Sequence, residues 1–428
     1  MSSPMRKLLH VYIDTAKVGI LSGEDSGEYS FTYEASWLGS KAPIPLSLSL
    51  PLQLEPFPPE ASKAFFSNLL PEGQLRDHFA SKHRVSPDDD FGLLAALGGD
   101  CAGAVALYPG GPDYALEAKP PSYRPLTSGE LMQLLDEAYI MDPSFLGEEE
   151  RTRLSLAGVQ DKLPVAIRGE TISVPLDGAP STHILKPPNP RFPTLVENEA
   201  FCMALARRME LPVPNTSLLK VGGKAFVYLI ERYDRQVDNE GRLTRIHQED
   251  FCQATGKPYR LKYEEKGGPG FHACFQVTGR CRNPLADRIK LLNLAIFNYL
   301  IGNADCHAKN ISMLYDSGPN PSLAPFYDLV CTGIYPQLAS QLAMAIGGSY
   351  DPREITAKSW ADFAEQAGIR SPRPVMNTLR KMAMALPGQA AEVAESMVDH
   401  YGENPAYLQI VEKITQRGAM AIRQIQNA

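Results

Sequence analysis

The segment from Asn283 to Asn310 constrains this chain more than any other. Asn283 and Pro284 read as the N-cap and first residue of a helix. Leu291, Leu292, Leu294, Ala295, Ile296, Phe297, Leu300 and Ile301 then make it apolar around most of its circumference. Such a helix has no face for water, so it is expected to be the buried core of a lobe. Gly302 ends it. The loop that leaves it, Asn303-Ala304-Asp305-Cys306-His307-Ala308-Lys309-Asn310, sets Asp305 and Asn310 five positions apart. Phosphoryl-transfer loops use this spacing, because one carboxylate must hold and deprotonate an acceptor hydroxyl while a neutral oxygen nearby binds Mg²⁺. An ordinary surface loop turned by its Asp and Asn would carry the same spacing.

A metal site of this kind needs a second carboxylate. Ile311 to Tyr315 alternates like a strand, 316–322 is a turn cluster, and Leu323 to Tyr327 can return as its partner. A hairpin symmetric about Pro319 would set Asn310 opposite Asp328, giving two ligands for Mg²⁺ with ATP phosphates and waters completing the shell.

Composition limits the alternatives. A chain of 428 residues, 44% of them hydrophobic, has room for two or three domains with real cores. No apolar run approaches the ~18 residues of a membrane span, so a soluble, cytoplasmic protein with no membrane partner is expected. The seven cysteines include no Cys-x-x-Cys pair, which points away from a structural zinc site. A formal charge of −7 supplies no basic field for binding DNA unaided.

From the N-terminus, Lys7 to about Leu54 reads as β. Short helices follow between Glu60 and Ala80, broken at Pro71-Glu72-Gly73, and another over Phe91 to Leu97. A strand over Gly103 to Leu107 closes the unit, which offers no chemistry and suits a docking role. Leu131 to Ala138 suggests a short helix. Leu154 to Val165 is a hairpin candidate whose small-residue turn could cover phosphates with backbone N–H groups. The strand His183 to Lys186 ends in a lysine. On the helix Leu195 to Met209, expected to start with a Thr194–Glu197 capping box, Glu199 shares an apolar stripe with Cys202, Met203 and Ala206 and so requires a cation. Lys186 fits, as the strand-lysine and helix-glutamate pair of a kinase N-lobe. Phe226 to Asp234 reads as a strand running into a hinge, and His247 to Gln253 as the start of a helix. Past Asp328 the pattern is helical, over 356–367, 374–386, 389–401 and 405–425.

Ser155 to Lys162, Ile184-Leu185-Lys186, Glu231 to Arg235, His247 to Asp250, Leu300 to Asn310 and Phe326-Tyr327-Asp328, in this order, resemble the HipA family, bacterial serine/threonine-kinase toxins of toxin–antitoxin pairs. The likeness covers almost the whole chain. It implies an α+β, two-lobed protein-kinase-like fold, with an N-terminal β-rich unit (1–110), a kinase N-lobe (111–236) and a helical C-lobe (237–428). By position it implies Asp305 as catalytic base, Asn310 and Asp328 as Mg²⁺ ligands, and Lys186 as the phosphate-binding lysine. Ala157 and Gly158 would lie in the phosphate loop. Glu231 and Tyr233 would bind adenine from the hinge, with Asp234, His307 and Tyr327 near the ATP. Ser155 matches a serine that family members autophosphorylate. Cys306 stands where glycine is familiar in the family, and Asp161 where glutamate is.

The resemblance further implies a small dimeric helix-turn-helix antitoxin, HipB-like, through which operator DNA is reached, and a protein substrate such as an aminoacyl-tRNA synthetase, glutamyl-tRNA synthetase being the familiar target. Two other readings use the same loop: a small-molecule phosphotransferase of the choline- or aminoglycoside-kinase type, and a kinase-shaped corepressor without activity.

Overall fold

The structure, a computed structural model, describes residues 7–24, 26–109, 121–133, 162–176, 178–223, 225–239 and 242–426. The first strands, Lys7–Ile13, Ala16–Gly23 and Tyr29–Tyr33, join Val105–Pro109 in a four-stranded antiparallel sheet, with Lys7–Ile13 paired to both Ala16–Gly23 and Val105–Pro109. Leu9, Val11 and Ile13 fall on one face by the two-residue period of a strand, and all three are buried. Gly19 has a specific reason to lack a side chain, since a Cβ there would lie 2.4 Å from the Phe31 ring. The helices Pro59–Phe66, Gly73–Lys82 and Asp90–Leu97 cover the sheet and close a separate core around Phe31, Phe65, Phe66 and Leu94.

A six-stranded antiparallel sheet follows, in the order Ser122–Pro125, Thr171–Leu176, Leu163–Arg168, His183–Lys186, Ala225–Glu231, Thr216–Val221. The helix Leu195–Arg208 packs on it and joins it to the helical body. It is not capped as the sequence suggests. The Thr194 hydroxyl lies 3.2 Å from that of Tyr335 and makes no bond to the helix end, so the Thr194–Glu197 box does not form.

Three further expectations change. His247–Asp250 is a strand paired with Ser312–Tyr315, and the helix begins only at Phe251, where Asp250 and Gln253 form a reciprocal capping box. The hairpin after the loop pairs Met313 with Leu323 and Leu314 with Ser322, so it is centred on Gly318, at φ +98°, and not on Pro319. The Ala324 N–H still bonds the Ser312 carbonyl, and the pairing ends at Pro325, which has no N–H to donate, with Phe326 bonding the carbonyl of Pro212 instead. Asn310 and Asp328 are therefore not cross-strand partners. Finally, 374–386 and 389–401 are one helix, Arg373–Tyr401, running through Pro387. Pro387 leaves the Ala383 carbonyl without its helical donor. The neighbouring helix, Pro405–Gln426, approaches that carbonyl so closely that a Cβ on Gly418 would lie 2.9 Å from it.

The Pro284–Ile301 helix lies at the centre of the largest core, with Leu291, Ile296, Phe297, Leu300 and Ile301 wholly buried. Gly302 takes φ +74° to end it, a conformation that glycine adopts without strain. The N-terminal unit is bound to this body by charge as well as by packing. Glu249 accepts from Ser47 and Leu48, while Arg232, Arg235 and Arg245 converge on the fully buried Asp100. Among the described residues no helix is long and apolar enough to cross a membrane.

Candidate active site

A cleft of about 660 Å³ collects Lys186, Glu199, the hinge and the 303–310 loop on one lining. Its first wall is electrostatic. Lys186, at the end of its strand, places Nζ 2.8 Å from both carboxylate oxygens of Glu199 and also donates to Asp328. Lys162 reaches the other Asp328 oxygen at 3.2 Å. Burial opposes charge on Asp328, but Lys162 and Lys186 outweigh it and hold the carboxyl far below the usual carboxylate range. Burial pushes the Lys162 ammonium down, so its charge depends on that partner. Asp328 also has φ +54°, left-handed backbone that a non-glycine residue adopts only under strain, which is often kept at working sites.

The opposite wall is the loop that leaves the buried helix. Asn303 accepts from the Asp305 N–H at 3.0 Å and donates to Asn298 at 2.8 Å, and the Ala304 N–H bonds the Thr332 hydroxyl. Asn310 spends its amide nitrogen on the Asp305 carbonyl at 2.9 Å, which leaves its carbonyl oxygen as the end suited to a cation. The Asp305 carboxylate is about half exposed and accepts from the Tyr263 hydroxyl at 2.7 Å. His307 lies beneath it, its Nε2 4.0 Å from Asp305. Burial pulls the imidazole down to about 4, so it is neutral near pH 7 and the contact is no ion pair. Its buried Nδ1 has no hydrogen-bond partner among the described residues. Cys306 turns inward and accepts from Asn298, so it leaves the loop surface free.

Glu231 and Tyr233 line the cleft beyond Lys186, the Glu231 N–H being given to the Asn215 carbonyl. The Tyr233 ring stacks on Tyr327 with centroids 6.1 Å apart, and the Tyr327 hydroxyl donates to the Lys309 carbonyl at 2.9 Å. Asp234 also lines the cleft, but its carboxylate is held by Arg232, Arg235 and the Gly103 N–H. Ser155, Ala157, Gly158 and Asp161 lie outside the described residues.

The sequence reading missed one whole contribution. Glu72, in the unit read as chemically bland, sits in the cleft between Lys262 and Lys309. Tyr263 and Lys162 were missed as well. The pattern Pro71-Glu72-Gly73, a carboxylate between two chain-turning residues, was the available signal for the first.

The chain matches the HipA N-terminal domain over residues 9–108 and the HipA-like C-terminal domain over residues 154–392, more than half of its length. It belongs to the HipA family. The protein Y4mE of Sinorhizobium fredii is 39% identical over 97% of this chain and 98% of its own length. The serine/threonine-protein kinase toxin HipA of Shewanella oneidensis is 33% identical over 92% of this chain and 90% of its own. A solved Shewanella oneidensis structure, of HipA and HipB with their operator DNA, superposes with a TM-score of 0.82 at 30% identity, covering 98% of this chain and 97% of that one. This HipA-family chain therefore has the α+β, two-lobed kinase-like fold.

Proposed function

We propose that this chain is an ATP-dependent serine/threonine protein kinase acting as the toxin of a toxin–antitoxin pair. The observation that carries this reading is Asp328, ionised and held by Lys186 and Lys162, in one cleft with Asp305. In this reading Lys186, fixed by Glu199, binds ATP phosphates, the hinge at Glu231 and Tyr233 receives adenine, and His307, Tyr327 and the Asp234 backbone lie beside the nucleotide. Asp305 would orient the acceptor serine and take its proton as the serine oxygen bonds the γ-phosphorus and the bond from that phosphorus to the β–γ bridging oxygen breaks, with ADP leaving. Asp328 and Asn310 offer a carboxylate and an amide oxygen, the hard donors that suit Mg²⁺, which when bound would neutralise phosphate charge.

Ser155 is proposed as the autophosphorylated residue and Ala157-Gly158 as part of the phosphate loop. A phosphate on Ser155 would add about −1.5 to −2 charges beside an anionic nucleotide and so disfavour the closed loop. The proposed partner is a small dimeric helix-turn-helix antitoxin, HipB-like, by likeness to the Shewanella complex, with operator DNA reached through it. The proposed substrate is a protein serine, with aminoacyl-tRNA synthetases among the candidates, and the proposed location is the cytoplasm. The test is incubation with labelled MgATP, alone and with lysate, followed by mass spectrometry. Label on protein, and on Ser155 in the isolated chain, supports the reading. Label confined to small molecules, or no label that Asp305→Asn abolishes, overturns it.

A further inference from the structure

Two positively charged side chains on separate segments of the cleft share one carboxylate from the N-terminal unit. Glu72 stands at the start of the Gly73–Lys82 helix, brought there by Leu70 and Pro71 and by Gly73 at φ +57°. Its Oε2 lies 2.7 Å from Lys262 Nζ and its Oε1 2.9 Å from Lys309 Nζ. All three side chains are nearly buried, at 7%, 11% and 4% exposure. Buried ion pairs are costly to assemble, because every charge must be taken out of water, and removing one partner strands the others. Burial opposes the charge on Glu72, yet Lys309 and Lys262 bring its carboxyl down to about 2, so it is ionised at any working pH.

What the lysines adjoin gives the cluster its meaning. Lys309 immediately precedes Asn310, and its Nζ is further held by the Asn68 carbonyl at 3.3 Å, again from the N-terminal unit. Its own carbonyl receives the Tyr327 hydroxyl, one residue before Asp328. Lys262 immediately precedes Tyr263, whose hydroxyl bonds Asp305, and the Lys262 carbonyl accepts from the Ala308 N–H. One carboxylate thus fixes the residue before a proposed metal ligand and the residue before the partner of the proposed base.

We propose that Glu72 is a positioning residue for phosphoryl transfer, acting through Lys309 and Lys262 to hold the loop that carries Asp305 and Asn310. The N-terminal unit is then part of the catalytic apparatus. The inference rests on the kinase reading, since positioning matters only if that loop reacts. Misplacing a reacting group by a fraction of an ångström to an ångström slows reactions by about ten- to a hundredfold.

The test uses the full chain and compares Glu72→Gln, which keeps shape and removes charge, with Glu72→Asp and with Phe65→Leu. The last loosens the N-terminal core around a wholly buried residue. Steady-state kinetics and hydrogen exchange of the 303–310 segment are both read. Glu72→Gln should lower kcat about tenfold and raise the half-saturating Mg²⁺ several-fold, with KM for ATP within about twofold. It should also speed exchange in the loop, and Glu72→Asp should recover part of each effect. Unchanged kcat and unchanged exchange in Glu72→Gln would overturn the proposal. So would equal kinetic and exchange effects in Phe65→Leu at a matched drop in Tm, since the role would then be structural only. Wild-type protein with no ATP-dependent transfer would instead sink the kinase reading, and loop exchange would still decide whether Glu72 holds the loop.

Discussion

Lys186 Nζ lies 2.8 Å from each carboxylate oxygen of Glu199, with both side chains only 1% exposed, and the same ammonium donates to Asp328. The two carboxylates are not equivalent. Asp328 has Lys162 as a second partner, whereas Glu199 relies on Lys186 for its counter-charge. Lys186→Ala should therefore destabilise the fold by about 3–5 kcal/mol, the usual cost of stranding a buried charge. Glu199→Ala leaves Lys186 paired with Asp328 and should cost less, about 1–2 kcal/mol. Urea unfolding measures both. In activity the pair should be non-additive, the double variant being no worse than Lys186→Ala alone; additive losses would mean that Glu199 has a separate role.

Asp305 and Asp328 should separate cleanly in binding measurements. Asp305→Asn should abolish transfer while MgATP affinity stays within about twofold of wild type, because the proposed base is not a nucleotide ligand. Asp328→Asn should weaken nucleotide binding about tenfold or more in the presence of Mg²⁺ and far less in EDTA. Calorimetric titration of both variants under both conditions checks this, and equal losses with and without Mg²⁺ in Asp328→Asn would remove it from the metal site.

The Tyr263 hydroxyl is the group that orients the exposed Asp305 carboxylate, using Oδ1 and leaving Oδ2 for an acceptor. A hydrogen bond of this sort contributes about 1 kcal/mol, so Tyr263→Phe should lower kcat about fivefold with little change in KM for ATP. A rise in kcat would instead identify Tyr263 as a plug that the acceptor hydroxyl must displace.

Glu249 provides a pH-dependence that one substitution isolates. Burial pushes its carboxyl up to about 7, from the usual 4.5, against the Ser47, Tyr315 and Leu48 donors that favour its ionised form. Between these values the folded state binds the proton more tightly than the unfolded chain, so the Glu249 contribution to stability falls as pH rises from about 4.5 to 7. The full span is about 3 kcal/mol. Glu249→Gln removes the titration, and the difference in unfolding free energy between wild type and variant should move in the variant's favour across that window. A pH-independent difference would show that Glu249 is already ionised at the lower end.

Much of the site was legible in the sequence because its signals are local. The buried helix, Gly302 and the Asp305-to-Asn310 spacing belong to one run of chain, and helical periodicity with a glycine stop encodes them without reference to anything distant. Glu199 declared itself by the energetic anomaly of a carboxylate in an apolar stripe, and strand order pointed to Lys186 as its counter-charge. The hairpin centre, the capping of 195–208 and the continuity of the helix through Pro387 were decided elsewhere. The Phe326 N–H goes to the Pro212 carbonyl, the Thr194 hydroxyl faces that of Tyr335, and the helix through Pro387 packs closely against Gly418, none of which local sequence contains. The same holds for Glu72, which lies 190 residues from Lys262 and 237 from Lys309 along the chain. Sequence by itself determined which segments must be buried and which residues are candidates for phosphoryl-transfer chemistry, because burial and spacing are properties of short stretches. Only the tertiary structure decided which distant charges meet, because a carboxylate's partner is set by what packing brings within 3 Å of it.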